Sequence, residues 1–436
     1  MKSTSQATTT KITNYFTAVL LVLAPFHGFL TVWGASLVGH YTWLRAWNAF
    51  VLLGLVAVAG WWLVAERKMR RWLVADRLRV AVVLFALVSG CGAVFALAMH
   101  PVSPAAVGLG IFQDLRFLAF LLVVWAAAER SDWLRAHWQQ LMLGPALVVA
   151  AFAVLQLTVL PDDFLKHFGY SAATIEPHET INNDASYPRF ASFLRGANPL
   201  GAYLVVITGL LAAYYSRLRG RRHWEILAAL TAGAMLASFS RSAWIGAAVA
   251  VGVVVFLRAV GSKKLRKFLL ISLGMVFFSG VSFAAFQNNP HLQNAIFHTS
   301  DTSKVAVSSN DQRSGAMTRA SKEVLTHPFG GGVGSAGPAS VHNALGETKL
   351  AENYFLQVGQ ETGWLGLGLF VSIIFMLGKR LWARRRDKLA LACFAGLVGL
   401  VVVNMLSHAW ADDTLAYVFW GLAGVALADR KAVAVA

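Results

Sequence analysis

An all-α polytopic membrane protein with about twelve transmembrane helices is predicted by three observations. Of 436 residues, 57% are hydrophobic and only 14% are charged, a balance outside the range of soluble domains this size. The apolar residues fall in runs long enough to cross about 30 Å of hydrocarbon. Most of the 38 lysines and arginines lie in the short segments that alternate inversion assigns to one side of those runs, which is the positive-inside pattern.

The first run, near 14–36, follows Lys2 and Lys11 and has no small-x-small exit, so an uncleaved first helix is expected. The second, near 46–65, ends at Arg67, Lys68, Arg70 and Arg71, which with Arg77 and Arg79 mark the inner side. A short outer turn joins the third and fourth runs, near 79–99 and 105–128. The fourth carries Asp114 and Arg116, charges that are rare inside a span and usually functional. Arg130 and Arg135 return the chain inward before the fifth run, near 139–160. A long outer segment, 161–197, leads to the sixth, near 198–216, which Arg217, Arg219, Arg221 and Arg222 close. Runs seven and eight, near 224–239 and 243–257, flank a tight outer turn, and Lys263, Lys264, Arg266 and Lys267 precede the ninth, near 268–286. After a second long outer segment, 287–352, come runs near 354–378, 389–407 and 414–429. Both termini are then cytoplasmic, and residues 1–436 read as one transmembrane domain with its two long loops on the outer face.

A formal charge of +17 raises the question of nucleic acid, but the cations sit in small clusters at helix ends, where anionic headgroups of membrane lipids are the simpler partner. Cys91 and Cys393 both fall within spans and offer neither a disulfide framework nor a thiolate metal site. No repeat of twenty to fifty residues is present, and the unequal halves argue against an inverted-repeat transporter. Within 287–352, Ser314 to Thr326 predicts a helix, stopped by His327-Pro328 and the run Gly330-Gly331-Gly332-Val333-Gly334. That glycine run follows a helix and lacks a trailing Lys-Ser/Thr, so it is no phosphate loop for nucleotides.

Three segments carry charge beyond what a structural span needs. Tyr187 to Pro199 places Arg189 and Arg195 at the outer mouth of the sixth span. Ser238-Phe239-Ser240-Arg241-Ser242-Ala243-Trp244 holds Arg241 near headgroup level in a turn too short to leave the surface, where a phosphate suits its planar fork. Ala351 to Phe370 places Glu352 at the start of the tenth span and Glu361 about two turns inside. The bland alternatives are snorkelling to lipid phosphates and pairing with Asp162, Asp163, Asp412 or Asp413. Adjacent Asp162-Asp163 and Asp412-Asp413 are read as solvated charges or arginine partners, so neither a metal nor another cofactor is expected.

Together these segments resemble the O-antigen ligase and polymerase family of bacterial envelope glycosyltransferases, by motif over residues 187–370 and by helix count elsewhere. The family pattern runs from an arginine-rich lead into a helix at Asn-Pro, through Ser-Arg-Ser/Thr-Ala and an Arg-bearing helix with His-Pro-x-x-Gly-x-Gly, to the ligase signature. Here Asn353, nine residues, Gly363, two residues and Gly366 keep the signature's spacing, but Glu352 stands where the family has histidine. The resemblance implies a GT-C-like fold in the bacterial inner membrane with a periplasmic site. It implies transfer of a glycan from undecaprenyl pyrophosphate to an acceptor hydroxyl on lipid A-core or another glycan, inverting and metal-independent. Arg189 and Arg241, with Arg195 and Arg313, would hold the pyrophosphate and glycan beside Asn353 and Tyr354. The base would be Glu352 in place or His342 folded back from upstream. A carboxylate is ionised near neutral pH while a histidine titrates there, so activity persisting below the histidine range would mark Glu352. Polymerisation, protein O-glycosylation and a non-enzymatic flippase for the same lipids are the alternatives.

Overall fold

The computed structural model describes residues 2–99, 102–181, 184–218, 220–260, 309–343 and 348–429. The span expected at 268–286 and the first part of the segment 287–352 lie outside the described residues. Among those described, nine helices are long and apolar enough to cross a membrane, and the protein is all-α and polytopic. The first stretch, Gln6–Val38, contains α1 (Lys2–Leu23) and α2 (His27–Val38), joined by a 3-10 turn at Ala24–Phe26 whose second residue is Pro25. A short helix α3 (Tyr41–Arg45) precedes α4 (Trp47–Ala65), α5 (Arg67–Val74), α6 (Arg77–Met99), α7 (Pro104–Arg130) and α8 (Trp133–Thr158). The helix α5 carries most of the cations predicted between the second and third spans and lies between them.

The outer segment 161–197 is more regular than its composition suggests. It holds a 3-10 turn, Phe164–Phe168, and an antiparallel hairpin of β1 (Glu179–Ile181) and β2 (Asp184–Arg189), registered Glu179 to Arg189 and Thr180 to Pro188. There follow α9 (Ala197–Leu218), α10 (Arg222–Ala237), α11 (Arg241–Ala259), α12 (Ser309–Thr326), α13 (Tyr354–Ala383), α14 (Lys388–Met405) and α15 (Asp413–Leu427). Helix α12 starts five residues before the predicted one, with Asp311 in its first turn, where a carboxylate favours the helix dipole.

Helices α9, α11 and α14 pack on one another, and α15 packs against α7. With no water in the hydrocarbon, close packing rather than hydrophobic segregation holds such helices together. Gly246 and Gly399 show how: a Cβ on Gly246 would come 2.8 Å from the Gly399 carbonyl oxygen, and one on Gly399 would come 2.5 Å from that of Gly246. Every residue of α15 is buried, so this helix, apolar all round, occupies the middle of the bundle. At 15 residues it is shorter than a full crossing requires.

Candidate functional site

The three charged segments share a backbone feature. Ser192, Phe239 and Glu352 adopt positive φ, at 53°, 45° and 50°, and with His40 they are the non-glycine residues that do so among those described. Left-handed backbone on such residues costs about 1–3 kcal/mol each and concentrates where function over-determines geometry. Each lies within three residues of an arginine or carboxylate singled out from sequence.

Arg189 closes β2 and is buried, with each edge of its guanidinium assigned. Its Nε donates to the Ser238 carbonyl (3.1 Å), one terminal nitrogen donates to Asn198 Oδ1 (2.8 Å), and the other faces Glu179 at 3.4 Å. Burial lowers its pKa, the Glu179 charge raises it, and Arg313 lowers it again. The hairpin register that sets Glu179 opposite Arg189 is what brings the pair together. Arg241, the first residue of α11, lies within electrostatic reach of both Arg189 and Arg313. Arg313, on α12, faces Glu352 with Nε 3.6 Å from the carboxylate.

The signature at 353–366 is built into the start of α13. Asn353 caps the helix, accepting from Leu356 N (3.1 Å), and its amide donates to the Met405 carbonyl (3.0 Å). Tyr354 donates its backbone N–H to the Ser407 carbonyl (3.1 Å) and its hydroxyl to Asp114 (3.2 Å). Both residues are therefore committed to fixing the segment after α14. Further along, Gly363 sits at φ 65° and ψ −166°, kinking the helix. The His-Pro-Phe-Gly-Gly-Gly run fills the gap: the Pro328 carbonyl accepts from Trp364 N (2.9 Å), and Gly331 N donates to the Gln360 carbonyl (2.7 Å). A Cβ on Gly363 would lie 2.2 Å from the Pro328 oxygen, and one on Gly330 would lie 2.6 Å from Gly363 N. The two glycine motifs are thus halves of one junction. Glu361, buried beneath it, accepts from Gly334 N at 2.9 Å.

Glu352, just ahead of α13, lines a cavity of about 300 Å³. Arg45 and Arg195 supply its cations, Glu179, Glu352 and Asp412 its carboxylates, and His408 an imidazole; Asn198 also faces it. Arg195 is also 3.6 Å from Asp413, which pairs with the buried Arg116 and, at 3.2 Å, with His27. The pairing of outer arginines with Asp413 weighed from sequence is therefore real for Arg195. Asp412 caps α15 through Thr414 N (2.9 Å). Burial and the neighbouring Asp413 push its carboxyl up, while Arg195 and Arg116 pull it down. Burial holds the His408 imidazole below the ordinary histidine value, opposed by Glu352 and Asp412 and aided by Arg313.

Glu352 and Arg195 thus face one cavity, with Arg189 and Arg313 held at its edge by Glu179 and Glu352. Arg241 joins them through Arg189 and Arg313 and does not line the cavity. His342 ends the 3-10 turn Pro338–His342 with its side chain exposed; Pro338 at the start of that turn lines the cavity and His342 does not. Its carbonyl accepts from the Ser103 hydroxyl at 2.7 Å. Glu179, Arg45 and His408 were not singled out in sequence. None of the three carries a motif of its own; each gains its meaning from the partners the fold brings to it.

Residues 226–371 match the family model for O-antigen ligase. The match takes in about a third of the chain, including α11, α12 and the signature. It supports the O-antigen ligase family and, coarsely, a ligase- or polymerase-type glycosyltransferase working on lipid-linked glycan and acceptor substrates. No curated protein was found to match the chain.

Proposed function

We propose that this O-antigen ligase-type protein transfers a glycan from undecaprenyl pyrophosphate to an acceptor hydroxyl on the periplasmic face of the bacterial inner membrane, lipid A-core being the favoured acceptor. The observation that carries the reading is that three segments distant in sequence bring arginines together at one cavity: Arg195 lines it with Glu352, Arg189 and Arg313 pair with its lining carboxylates Glu179 and Glu352, and Arg241 lies within electrostatic reach of both. The leaving group is a pyrophosphate, so the work is stabilisation of developing anionic charge, for which preoriented guanidinium forks serve without a metal. In this reading Glu179 and Glu352 hold the arginines ready, and phosphate oxygens displace them when the donor binds. The acceptor hydroxyl attacks the anomeric carbon from the opposite side with inversion, and its proton leaves toward the Glu352 side of the cavity. A flippase would need polar groups through the depth of the membrane, whereas these cations gather at one end of the bundle. Polymerisation onto another glycan uses the same donor chemistry and remains the second reading.

The test is transfer in vitro by purified full-length protein from an undecaprenyl-pyrophosphate glycan to lipid A-core, with chelator present. Wild type and His342→Gln should transfer, while Arg241→Ala and Glu352→Gln should lose on the order of 10²-fold or more. Donor binding without transfer to lipid A-core or to glycan would replace the enzyme by a carrier of the lipid.

A further inference from the structure

The ligase signature places a histidine where this chain has Glu352, yet an imidazole reaches the same cavity from another segment. We infer that His408 is the proton acceptor of the transfer and that Glu352 is the charge partner that stabilises the imidazolium it becomes. The inference rests on the transfer reading above and assigns it a group the sequence motifs do not contain.

Three observations carry it. First, His408 and Glu352 line one cavity, and their proximity is built in. Asn353 and Tyr354, next to Glu352, bond to the Met405 and Ser407 carbonyls just before His408. Asn404 accepts from Trp410 N at 2.9 Å and closes the turn on the other side. Second, the Nδ1 of His408 is buried with no hydrogen-bond partner among the described residues. A polar atom left so in a turn this firmly held calls for an explanation beyond packing, and a catalytic role is one. Third, the other candidates are engaged or absent: the Glu352 carboxylate faces Arg313 at 3.6 Å, and His342 is exposed outside the cavity.

The charges facing His408 are Glu352 at the start of α13, Arg313 on α12 and Asp412 before α15, with Arg45, Arg195 and Glu179 on the remaining cavity wall. Burial keeps the imidazole neutral at neutral pH, the state a general base requires. As the acceptor oxygen bonds to the anomeric carbon, the bond from that carbon to the pyrophosphate oxygen breaks. Its electron pair leaves on the pyrophosphate among the arginines. The hydroxyl proton passes to His408, and the resulting imidazolium stands against the Glu352 carboxylate until it releases the proton to solvent.

The experiment is the pH profile of kcat for transfer from an undecaprenyl-pyrophosphate glycan to lipid A-core, alongside donor binding, with the full-length protein. Wild type should show one acidic limb below the ordinary histidine value. His408→Gln should keep donor binding within about twofold, lower kcat by roughly 10²–10³-fold and erase the limb. Glu352→Gln should retain a limb displaced to lower pH, because the charge that raises the imidazole pKa is gone. A limb that survives in His408→Gln and vanishes in Glu352→Gln makes Glu352 the base and overturns the inference. Loss of donor binding with His408→Gln makes the residue structural and overturns it too. Wild type that binds donor and transfers to neither lipid A-core nor glycan overturns the transfer reading itself, an outcome visible without any variant.

Discussion

Gly363→Ala and Gly368→Ala should change stability in opposite directions although they lie five residues apart in one helix. At Gly363 the backbone has φ 65° and ψ −166°, a region almost confined to glycine that costs an L-residue about 1–3 kcal/mol. The new methyl would also meet the Pro328 carbonyl oxygen at 2.2 Å and the Phe329 carbonyl carbon at 2.6 Å. Those are backbone atoms that cannot step aside without breaking the Pro328–Trp364 hydrogen bond, and overpacking of this kind adds about 1–3 kcal/mol. The expected loss is about 2–6 kcal/mol. At Gly368 no atom lies within 4 Å of where the methyl would sit, and the backbone is helical. Alanine there should gain about 0.5–1 kcal/mol from reduced unfolded-chain entropy. Denaturant midpoints of the detergent-solubilised proteins read both changes. Gly363→Ala as stable as wild type would refute the claim that the glycine-rich run and the signature kink form one junction.

Removing one partner of the buried Arg116–Asp413 pair should cost about 3–5 kcal/mol, since the other charge is left unpaired in the bundle, while the double change Arg116→Met with Asp413→Leu should recover most of it; a double-mutant cycle on unfolding midpoints measures this. Arg189→Lys keeps the charge but cannot serve Ser238, Asn198 and Glu179 at once, so transfer should fall by about 10²-fold with the fold intact by circular dichroism. His408 has a folded pKa below its unfolded value of about 6.5. The unfolded chain therefore takes up the proton first as pH falls, and the stability present above about 6.5 is lost between that value and the lower folded one. His408→Asn should flatten this slope in midpoints measured against pH.

What was legible in sequence follows the length of the signal. Apolar runs of about twenty residues and their basic flanks mark helices through local composition alone, and α4, α6, α7, α11, α13 and α14 lie where those runs are. The hairpin at 179–189 was not legible because its strands are three and six residues long and its second contains Pro188. The arginine segments and Glu352 announced themselves through charge at the mouth of a span. Glu179 and His408 did not, because their meaning lies in partners: Glu179 matters through a strand register with Arg189, and His408 through backbone bonds from Asn353 and Tyr354. Asn353 and Tyr354 stood out by position; Asn353 bonds the Leu356 N–H and the Met405 carbonyl, and the Tyr354 hydroxyl bonds Asp114.

A rescue separates the chemistry of the Glu352–His408 arrangement from its architecture. If the imidazole is the base and only its point of attachment differs from the ligase signature, then Glu352→His combined with His408→Gln should return the base to the signature position. The backbone at 352 has φ 50°, a region histidine tolerates better than most non-glycine residues, so the replacement adds little strain. Asn353 and Tyr354 keep the segment after α14 in place through backbone carbonyls that do not depend on residue 408. The double variant should recover at least about tenfold of the kcat lost in His408→Gln, with an acidic limb restored, since a titrating imidazole again lines the cavity. A double variant as inactive as His408→Gln, yet binding the lipid pyrophosphate normally, would mean that position 352 cannot reach the acceptor hydroxyl and that its role is confined to holding Arg313.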